Sequence, residues 1–570
     1  MGVLKVVQVY LSGLLAASSF HPALNTLPQP IVFVANQSFT GIIINSTLTG
    51  HPLPVPVNAL LGIDYASQPV GEDRFKPVRP LILGNWSGGI DASRYGKVCI
   101  QDPRFISYEQ DEACLNMNIY WSITEARKEK LPVLVWIHGG GFVSGSGRSF
   151  DGASFVGTSK SPLMVVTFNY RLNSLGFLPS GMFEKEGLLN LGLLDQLQLL
   201  EFVQEHISSF GGDPENVTLG GRSAGAHSVG IHYFHNYTTG STEAKSGKAL
   251  FSKAILQSGS VTARSFPGAT YPLYEAQFAK YLSLIGCAGL HGVPETLQCL
   301  RTVDISIIRD ASTQLFQESE YAITWPFQPT LGGPLFEMPG SISGAQGMFY
   351  RLPVITTTVN DEAKLYTPGN LTSNEQFLEF MHNLTPYLNT TDMELLETLY
   401  PDPLTSSDGT PPYSDSPNST QYNRLSAAVS DYMYICPSQE TAVRTSSAGV
   451  PTWKLRFNTN NSFPAWQGIP HTADTRYTWN APAEELQFPQ IGSILHGYFS
   501  SFVVTGDPSQ LRILEDTLQS PEWPSYISNG DEIGRQLVLE PGSARIEDDM
   551  IRKEQCAFWR DLERSGRLGK

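Results

Sequence analysis

Short, uninterrupted apolar runs recur along the chain and alternate with longer stretches of helical spacing. Residues 131–137 (LPVLVWI) and 163–168 (LMVVTF) show no alternation of apolar and polar positions. That is the pattern of strands buried on both faces of a parallel sheet. Residues 216–220 (NVTLG) form another such run, followed by a turn of small residues. Between them, 192–210 sets Leu193, Leu194, Leu197, Leu200, Val203 and Ile207 at helical spacing and ends in the turn FGGDP. Strands alternating with helices predict an α/β fold with a central, mostly parallel sheet flanked by helices. No repeat interrupts it. Residues 401–420, rich in Pro, Ser and Asp, predict an exposed loop, and no break is sharp enough to divide 20–570 into more than one domain.

The N-terminus follows a different pattern. Lys5, an apolar run over 6–17 and the small residues Ser18 and Ser19 predict a secretory signal over residues 1–19. The run is short for a bilayer span, and no later stretch approaches ~20 apolar residues, so no membrane anchor is expected. Acceptor sequons stand at Asn36, Asn45, Asn85, Asn236, Asn370, Asn383, Asn389, Asn418 and Asn460, with one more at Asn216 that opens a core strand and is expected to stay unused. Six cysteines, an even number with no CxxC pair, suit disulfides in an oxidising compartment rather than a zinc or redox motif. The chain is therefore expected to be secreted. Charged residues are only 16% of the 570, against roughly 25% in an average soluble protein, so glycans would replace charge as the solubilising element. The net charge of −16, with no basic cluster, excludes nucleic acid as a partner.

Candidate chemistry begins at Gly221-Arg222-Ser223-Ala224-Gly225, a GxSxG between an apolar strand and a helix-compatible run over 226–233. This strand–turn–helix context exposes a serine on a sharp elbow that leaves no room for a Cβ on either side. A serine hydroxyl needs a base and a sink for developing negative charge. The sink is legible in His138-Gly139-Gly140-Gly141-Phe142, directly after 131–137, with the Ala224 amide completing an oxyanion hole. In this order of elements the acid and then the histidine follow the serine. His382, His471 and His496 lie far enough along; His382 sits in a polar, sequon-rich stretch and His496 in a helix-like run. His471 sits in a Gly/Pro loop, where catalytic groups concentrate. Asp361-Glu362, after the apolar run PVITTTV, is the best-placed acid.

With these residues the chain resembles a type-B carboxylesterase of the cholinesterase/carboxylesterase branch of the α/β-hydrolases, similar to secreted fungal carboxylesterases, over nearly its whole length. DEACLNMNIYW (111–121), the long block 190–229, AILQSGS (254–260), NDEA (360–363) and TGDP (505–508) carry the likeness. The resemblance implies an α/β-hydrolase fold with large insertions shaping the pocket. It assigns Ser223 as nucleophile, Glu362 as acid and His471 as base, with Gly140, Gly141 and Ala224 as the oxyanion hole. SILHGYFSSFVVTGDP aligns with a later family segment, which leaves His496 outside the triad. The implied disulfides are Cys99–Cys114, Cys287–Cys299 and Cys436–Cys556, the last tying the C-terminal helix to the body. The implied function is hydrolysis of small to medium carboxylic esters, small-molecule substrates, without cofactor or metal. The alternatives are a lipase taking longer acyl chains and, from another class, a non-catalytic cholinesterase-like binding protein.

Departures from the family sharpen this picture. A glutamate usually precedes the serine; here Arg222 does, which would oppose formation of an imidazolium at His471. Arg222 therefore either pairs with a local carboxylate or contacts a negatively charged part of the substrate. The loop between Cys99 and Cys114 is short, polar and free of tryptophan, which argues against choline esters, whose recognition uses cation–π stacking, and against an interfacial lid. His227, His232 and His235, close behind the elbow, are expected to be packing and surface residues rather than a zinc site.

Overall fold

The continuous apolar runs become strands covered on both faces. A computed structural model describes residues 28–82, 89–123, 129–235, 249–290, 292–405, 417–513, 519–527 and 534–570. Among these, eleven strands form the main sheet: β1 (Ile42–Ser46), β2 (Pro52–Asp64), β3 (Asn116–Ser122), β4 (Leu131–Ile137), β5 (Met164–Phe168), β6 (Gly212–Arg222), β7 (Lys253–Gln257), β8 (Val354–Val359), β9 (Thr452–Phe457), β10 (Arg535–Glu540) and β11 (Ser543–Asp548). Their order is β11-β10-β9-β8-β7-β6-β4-β5-β3-β2-β1. The seven from β10 to β5 pair in parallel, and antiparallel strands close both ends. The expected mostly parallel sheet is present.

Alternation along β4 shows why the run is apolar throughout. Val133, Val135 and Ile137 join one buried layer, while Leu134 and Trp136 join another on the opposite face. Helix α1 (Leu191–His206) and helix α2 (Ala224–Tyr233) cover the first face through Leu193, Leu199, Val203, Val229 and Ile231. Helix α3 (Cys436–Ser447) begins in the same layer at Cys436, and helix α4 (Pro489–Thr505) covers the second face through Ile494, Leu495, Phe499 and Phe502. The helical reading of 192–210 is met by α1 and a tight turn over Ile207–Phe210 that ends at Gly211, where φ is 88°. Inside α1 the burial extends beyond the leucines, to Asp195 and Gln196.

All three expected disulfides are formed, Cys99–Cys114, Cys287–Cys299 and Cys436–Cys556. The third joins α3 to helix α5 (Lys553–Arg560). Each closed loop removes freedom from the unfolded chain, a stabilisation of ~2–4 kcal/mol in the chain-entropy account. The signal expected over 1–19, the sequons at Asn85 and Asn236, and residues 406–416 of the expected loop lie outside the described residues. Among the described residues, no helix is long and apolar enough to cross a membrane.

The strand order reverses beside β4: the chain adds β5 on one side and then crosses back to place β6 on the other. In an open α/β sheet the crevice at the carboxyl ends of the strands flanking such a reversal is where ligands bind. Both glycine-rich motifs lie there.

Candidate active site

Gly221 of β6 pairs with Ile137 of β4, so the next residues of each strand, Ser223 and the 138–142 loop, leave the sheet side by side. The elbow is strained as its motif requires. Ser223 has φ 58° and ψ −127°, outside the regions open to an ordinary side chain. A Cβ on Gly221 would stand 2.6 Å from the Gly225 backbone, and one on Gly225 would stand 2.1 Å from the Ile137 carbonyl oxygen. The Ser223 amide donates to the Gln257 carbonyl at 2.9 Å, pinning the turn to β7. Helix α2 then starts at Ala224, with the amides of its first turn free for an external acceptor.

The 138–142 loop is held from behind. Tyr170 Oη donates to the His138 carbonyl at 2.9 Å, and the two rings stack at 4.4 Å. Gly140 and Gly141 have φ of 106° and 64°, which only glycine adopts without cost. Gln101 grips the far end of the loop, its Nε2 donating to the Gly145 carbonyl at 2.9 Å and its Oε1 accepting from the Gly145 amide at 2.8 Å. Among the described residues, the amides of Gly140, Gly141 and Ala224 donate to no protein acceptor.

Glu362 and His471 come from the ends of β8 and the segment after β9. Asp361 and Pro470 form a parallel bridge, the Asp361 amide donates to the Ile469 carbonyl at 2.9 Å, and the His471 amide donates to the Glu362 carbonyl at 3.2 Å. This zipper brings the side chains together. His471 Nδ1 lies 2.5 Å from Glu362 Oε2, while Glu362 Oε1 accepts from the Val359 amide at 2.9 Å. Glu362 is fully buried, both of its oxygens are occupied, and His471 Nε2 has no partner among the described residues. The imidazole is thus fixed with one nitrogen committed to a carboxylate and the other open.

An aromatic wall surrounds the open nitrogen. The Tyr434 ring lies 4.7 Å and the Tyr366 ring 6.1 Å from the His471 ring, and the Tyr434 hydroxyl sits beside Ser223, its pKa pushed up to about 12 chiefly by burial. Trp325 lies 6.0 Å from Tyr366 and 3.9 Å from where a Gly141 Cβ would stand. Beyond Trp325 opens a small cavity whose lining includes Arg264, Tyr274, Trp325, Gln328, Tyr387 and Tyr432. Ser223 and His471 do not line this cavity; Trp325 and the 432–434 segment are what the two sites share. The expected insertion after the nucleophile helix supplies part of the wall, and 383–387, from beyond Glu362, supplies the rest. Neither Arg264 nor the tyrosines stood out in the sequence, because AILQSGSVTARS carries no pattern that marks its arginine.

Arg222 lies elsewhere. Its side chain lines a separate small cavity with Trp136, His138, Gln257 and Thr478. Burial lowers its pKa, opposed first by the charge of Asp474 and then by that of Glu362. Asp474 is itself pushed up to about 6, chiefly by burial, and accepts from Gln257 Nε2 at 2.7 Å.

The remaining candidate residues are spread through the fold. His496 is buried in α4 with its Nε2 2.9 Å from the Phe155 carbonyl oxygen, and burial lowers it to about 4. His382 is exposed. His227 Nδ1 accepts from the Ser260 amide at 3.3 Å, His232 Nε2 lies 3.1 Å from Gln196 Oε1, and His235 faces Glu337 at 3.3 Å. Among the described residues, no group of three His, Cys, Asp or Glu side chains is placed to hold a metal. Asn36, Asn45, Asn370, Asn383, Asn389 and Asn418 are exposed, whereas Asn460 Nδ2 donates to the Phe463 and Gly468 carbonyls at 3.1 and 2.8 Å. Asn216 is tied at both ends of its amide, to the Val504 carbonyl and to Lys253 Nζ.

A parallel sheet with a strained serine elbow after one strand and a glycine-lined loop after its neighbour defines an α/β-hydrolase. The chain belongs to the carboxylesterase family, whose model matches residues 28–559, and it is a carboxylic ester hydrolase. It is 55% identical over 538 residues to secreted lipase 4 of Gibberella zeae, spanning 94% of this chain and 93% of that protein. Its fold superposes on the crystal structure of Aspergillus niger EstA with a TM-score of 0.79 at 26% identity, covering 95% of this chain and 99% of that one.

Proposed function

We propose that the chain is a secreted serine esterase in which Ser223, His471 and Glu362 act as nucleophile, base and acid on small to medium carboxylic esters. The observation that carries this reading is the His471 imidazole, bound at Nδ1 to a fully buried carboxylate and open at Nε2. Nε2 takes the Ser223 proton as the hydroxyl oxygen attacks the ester carbonyl. The developing oxyanion is met by the Gly140, Gly141 and Ala224 amides, which are aligned in advance and cost no reorganisation. The imidazolium, held in its tautomer by Glu362, then protonates the departing alcohol, and water repeats the cycle to free the acid. Arg222 serves here to balance the charge of Asp474 behind His471, without a direct ion pair, rather than as a substrate contact. Asp474 supplies negative charge on the far side of an arginine that would otherwise oppose the imidazolium.

The similarity to a protein named a secreted lipase supports secretion, and it favours a second reading in which longer acyl chains are used. Against that reading stands the 100–113 loop, which Gln101 pins to Gly145 and the Cys99–Cys114 disulfide closes, so that it is not free to swing as a lid. We also take residues 20–570 as one domain carrying glycans at exposed sequons.

A diethyl aryl phosphate should phosphorylate Ser223 and abolish activity, located by peptide mass spectrometry. Ser223→Ala should lower kcat by ~10⁴-fold or more, as loss of a triad nucleophile does. Labelling at another residue, with activity retained in the variant, would remove the mechanism. A series of p-nitrophenyl esters from acetate to palmitate decides between the readings. The esterase reading expects kcat/KM to peak at butyrate to octanoate, and a peak at palmitate would establish the lipase.

A further inference from the structure

Among the described residues, Arg264, near the proposed catalytic centre, has no counter-ion. Arg264 is 5% exposed, and its Nε and Nη1 have no hydrogen-bond partner among the described residues. The groups that act on it electrostatically are tyrosines, Tyr434, Tyr432, Tyr366 and Tyr274, all pushed by burial toward the neutral form, with no carboxylate among them. Its guanidinium stacks over the Trp325 ring at 4.4 Å. Stacking occupies the face of the group, leaves its in-plane N–H donors unspent, and the side chain lines the cavity beyond Trp325. Among the described residues lining the cavity beyond Trp325, Arg264 is the one charged side chain.

Burying an arginine without a partner costs several kcal/mol, which cation–π attraction returns only in part. Arg74 and Arg171 avoid that cost. Buried Arg74 donates through Nε and Nη2 to both Glu112 oxygens and through Nη1 to two backbone carbonyls. An anion entering the Arg264 cavity would complete the missing pair in a site of low dielectric, where such an interaction is strong. Trp325, whose ring faces both Arg264 and Gly141, places this cation one ring away from the oxyanion loop, within the span of a short substrate.

We propose that the cavity beyond Trp325 is a receptor for a carboxylate carried by the ester substrate, with Arg264 as its counter-ion and Trp325 as the platform that holds the guanidinium. The substrate class is then the half-ester of a short dicarboxylic acid, or an ester whose alcohol portion bears the carboxylate. This deepens the esterase reading and rests on it, since the acid matters only if the neighbouring serine cleaves esters.

The test compares monoethyl glutarate, 4-acetoxybutanoate and neutral ethyl valerate, followed by acid release at constant pH, in wild type and in Arg264→Met, Arg264→Gln and Arg264→Lys. Wild type should favour one carboxylated ester over ethyl valerate by at least ~10-fold in kcat/KM, and whichever of the two is favoured tells whether the acyl or the alcohol side enters the cavity. Arg264→Met or Arg264→Gln should reduce that preference by ~100-fold, the scale of one charge-assisted hydrogen bond, and Arg264→Lys should restore part of it. A preference that stays within threefold of wild type in both neutral variants, or a wild type that favours ethyl valerate, would overturn the proposal. Glutarate binding to Ser223→Ala, read as a rise in Tm, separates the two claims. If ethyl valerate is hydrolysed but glutarate gives no Arg264-dependent rise, the carboxylate site falls and the esterase stands. If no ester is hydrolysed while glutarate still binds through Arg264, the esterase falls and the carboxylate receptor stands.

Discussion

Arg171 and Arg264 are equally deep in the protein, at 3% and 5% exposure, yet they are solved in opposite ways. Arg171 is closed on itself. Its Nε and Nη2 meet both oxygens of Asp195 at 2.8 and 2.6 Å, its Nη1 donates to the Lys76 carbonyl at 2.8 Å, and its own amide also donates to Asp195. Arg264 has a stacked ring and, among the described residues, no anion. Arg222 is intermediate, feeling the charge of Asp474 without forming an ion pair with it. A buried cation whose donors are all spent welds elements together, here the loop after β5 to helix α1. One with donors unspent stores the desolvation cost of its charge until an anion arrives. Burial alone therefore does not distinguish a structural arginine from one that binds ligand; the inventory of its donors does.

The sharpest way to break this comparison is to make Arg171 resemble Arg264. Asp195→Ala strips Arg171 of its carboxylate inside a packed layer and should destabilise the fold by about 3–5 kcal/mol, measured as the drop in urea midpoint or in Tm. A loss under ~1 kcal/mol, well short of the cost of an unpaired buried charge, would mean that backbone carbonyls suffice to hold a buried arginine, and the unpartnered state of Arg264 would then carry no information.

Arg222 allows a finer test through pH. Asp474 titrates at about 6 in the folded protein, against an ordinary 3.8. Its folded pKa is raised, so folding favours the protonated form. Its unfavourable contribution is absent below about pH 4, grows as pH rises and is complete above about 6. The stability of Asp474→Asn relative to wild type should thus rise by about 3 kcal/mol between pH 4 and pH 7, because each tenfold change in proton affinity is worth about 1.4 kcal/mol. A difference that stays flat with pH would show that Arg222 neutralises Asp474 fully, as Asp195 does Arg171.

The three arginines also mark where sequence reading stops. Strands β4 to β6 were legible because burial on both faces leaves an unbroken apolar run, and Ser223 because its elbow tolerates only glycine at 221 and 225. Glu362 and His471 lie 109 residues apart, and no local pattern joins them; only family resemblance paired them before the zipper at Asp361 and Pro470 was seen. For Arg222 the sequence left two partners open. The fold turns its side chain away from the aromatic cavity, since successive residues leaving a strand point to opposite sides. Arg264 was not legible at all. What singles it out is a set of absences among Trp325, Tyr366 and Tyr432–Tyr434, side chains that lie far from it along the chain, and a linear pattern does not record a missing partner.

The smallest expected effect is also the most discriminating, because its sign is opposite to that of Asp195→Ala. In Arg264→Met a flexible apolar chain replaces a cation that the fold leaves uncompensated. The cation–π attraction that the arginine takes with it is worth ~0.5–2 kcal/mol, against a desolvation cost of several. The net change should be a gain of about 1 kcal/mol in stability, seen as a modest rise in Tm. Saturating glutarate should reverse the ranking, since it stabilises only the chain that still has its guanidinium, by RT ln(1 + [L]/Kd), or ~2.7 kcal/mol at about one hundred times Kd. A variant that is less stable than wild type without ligand would place Arg264 with Arg171, as a residue the fold needs rather than one it holds in reserve.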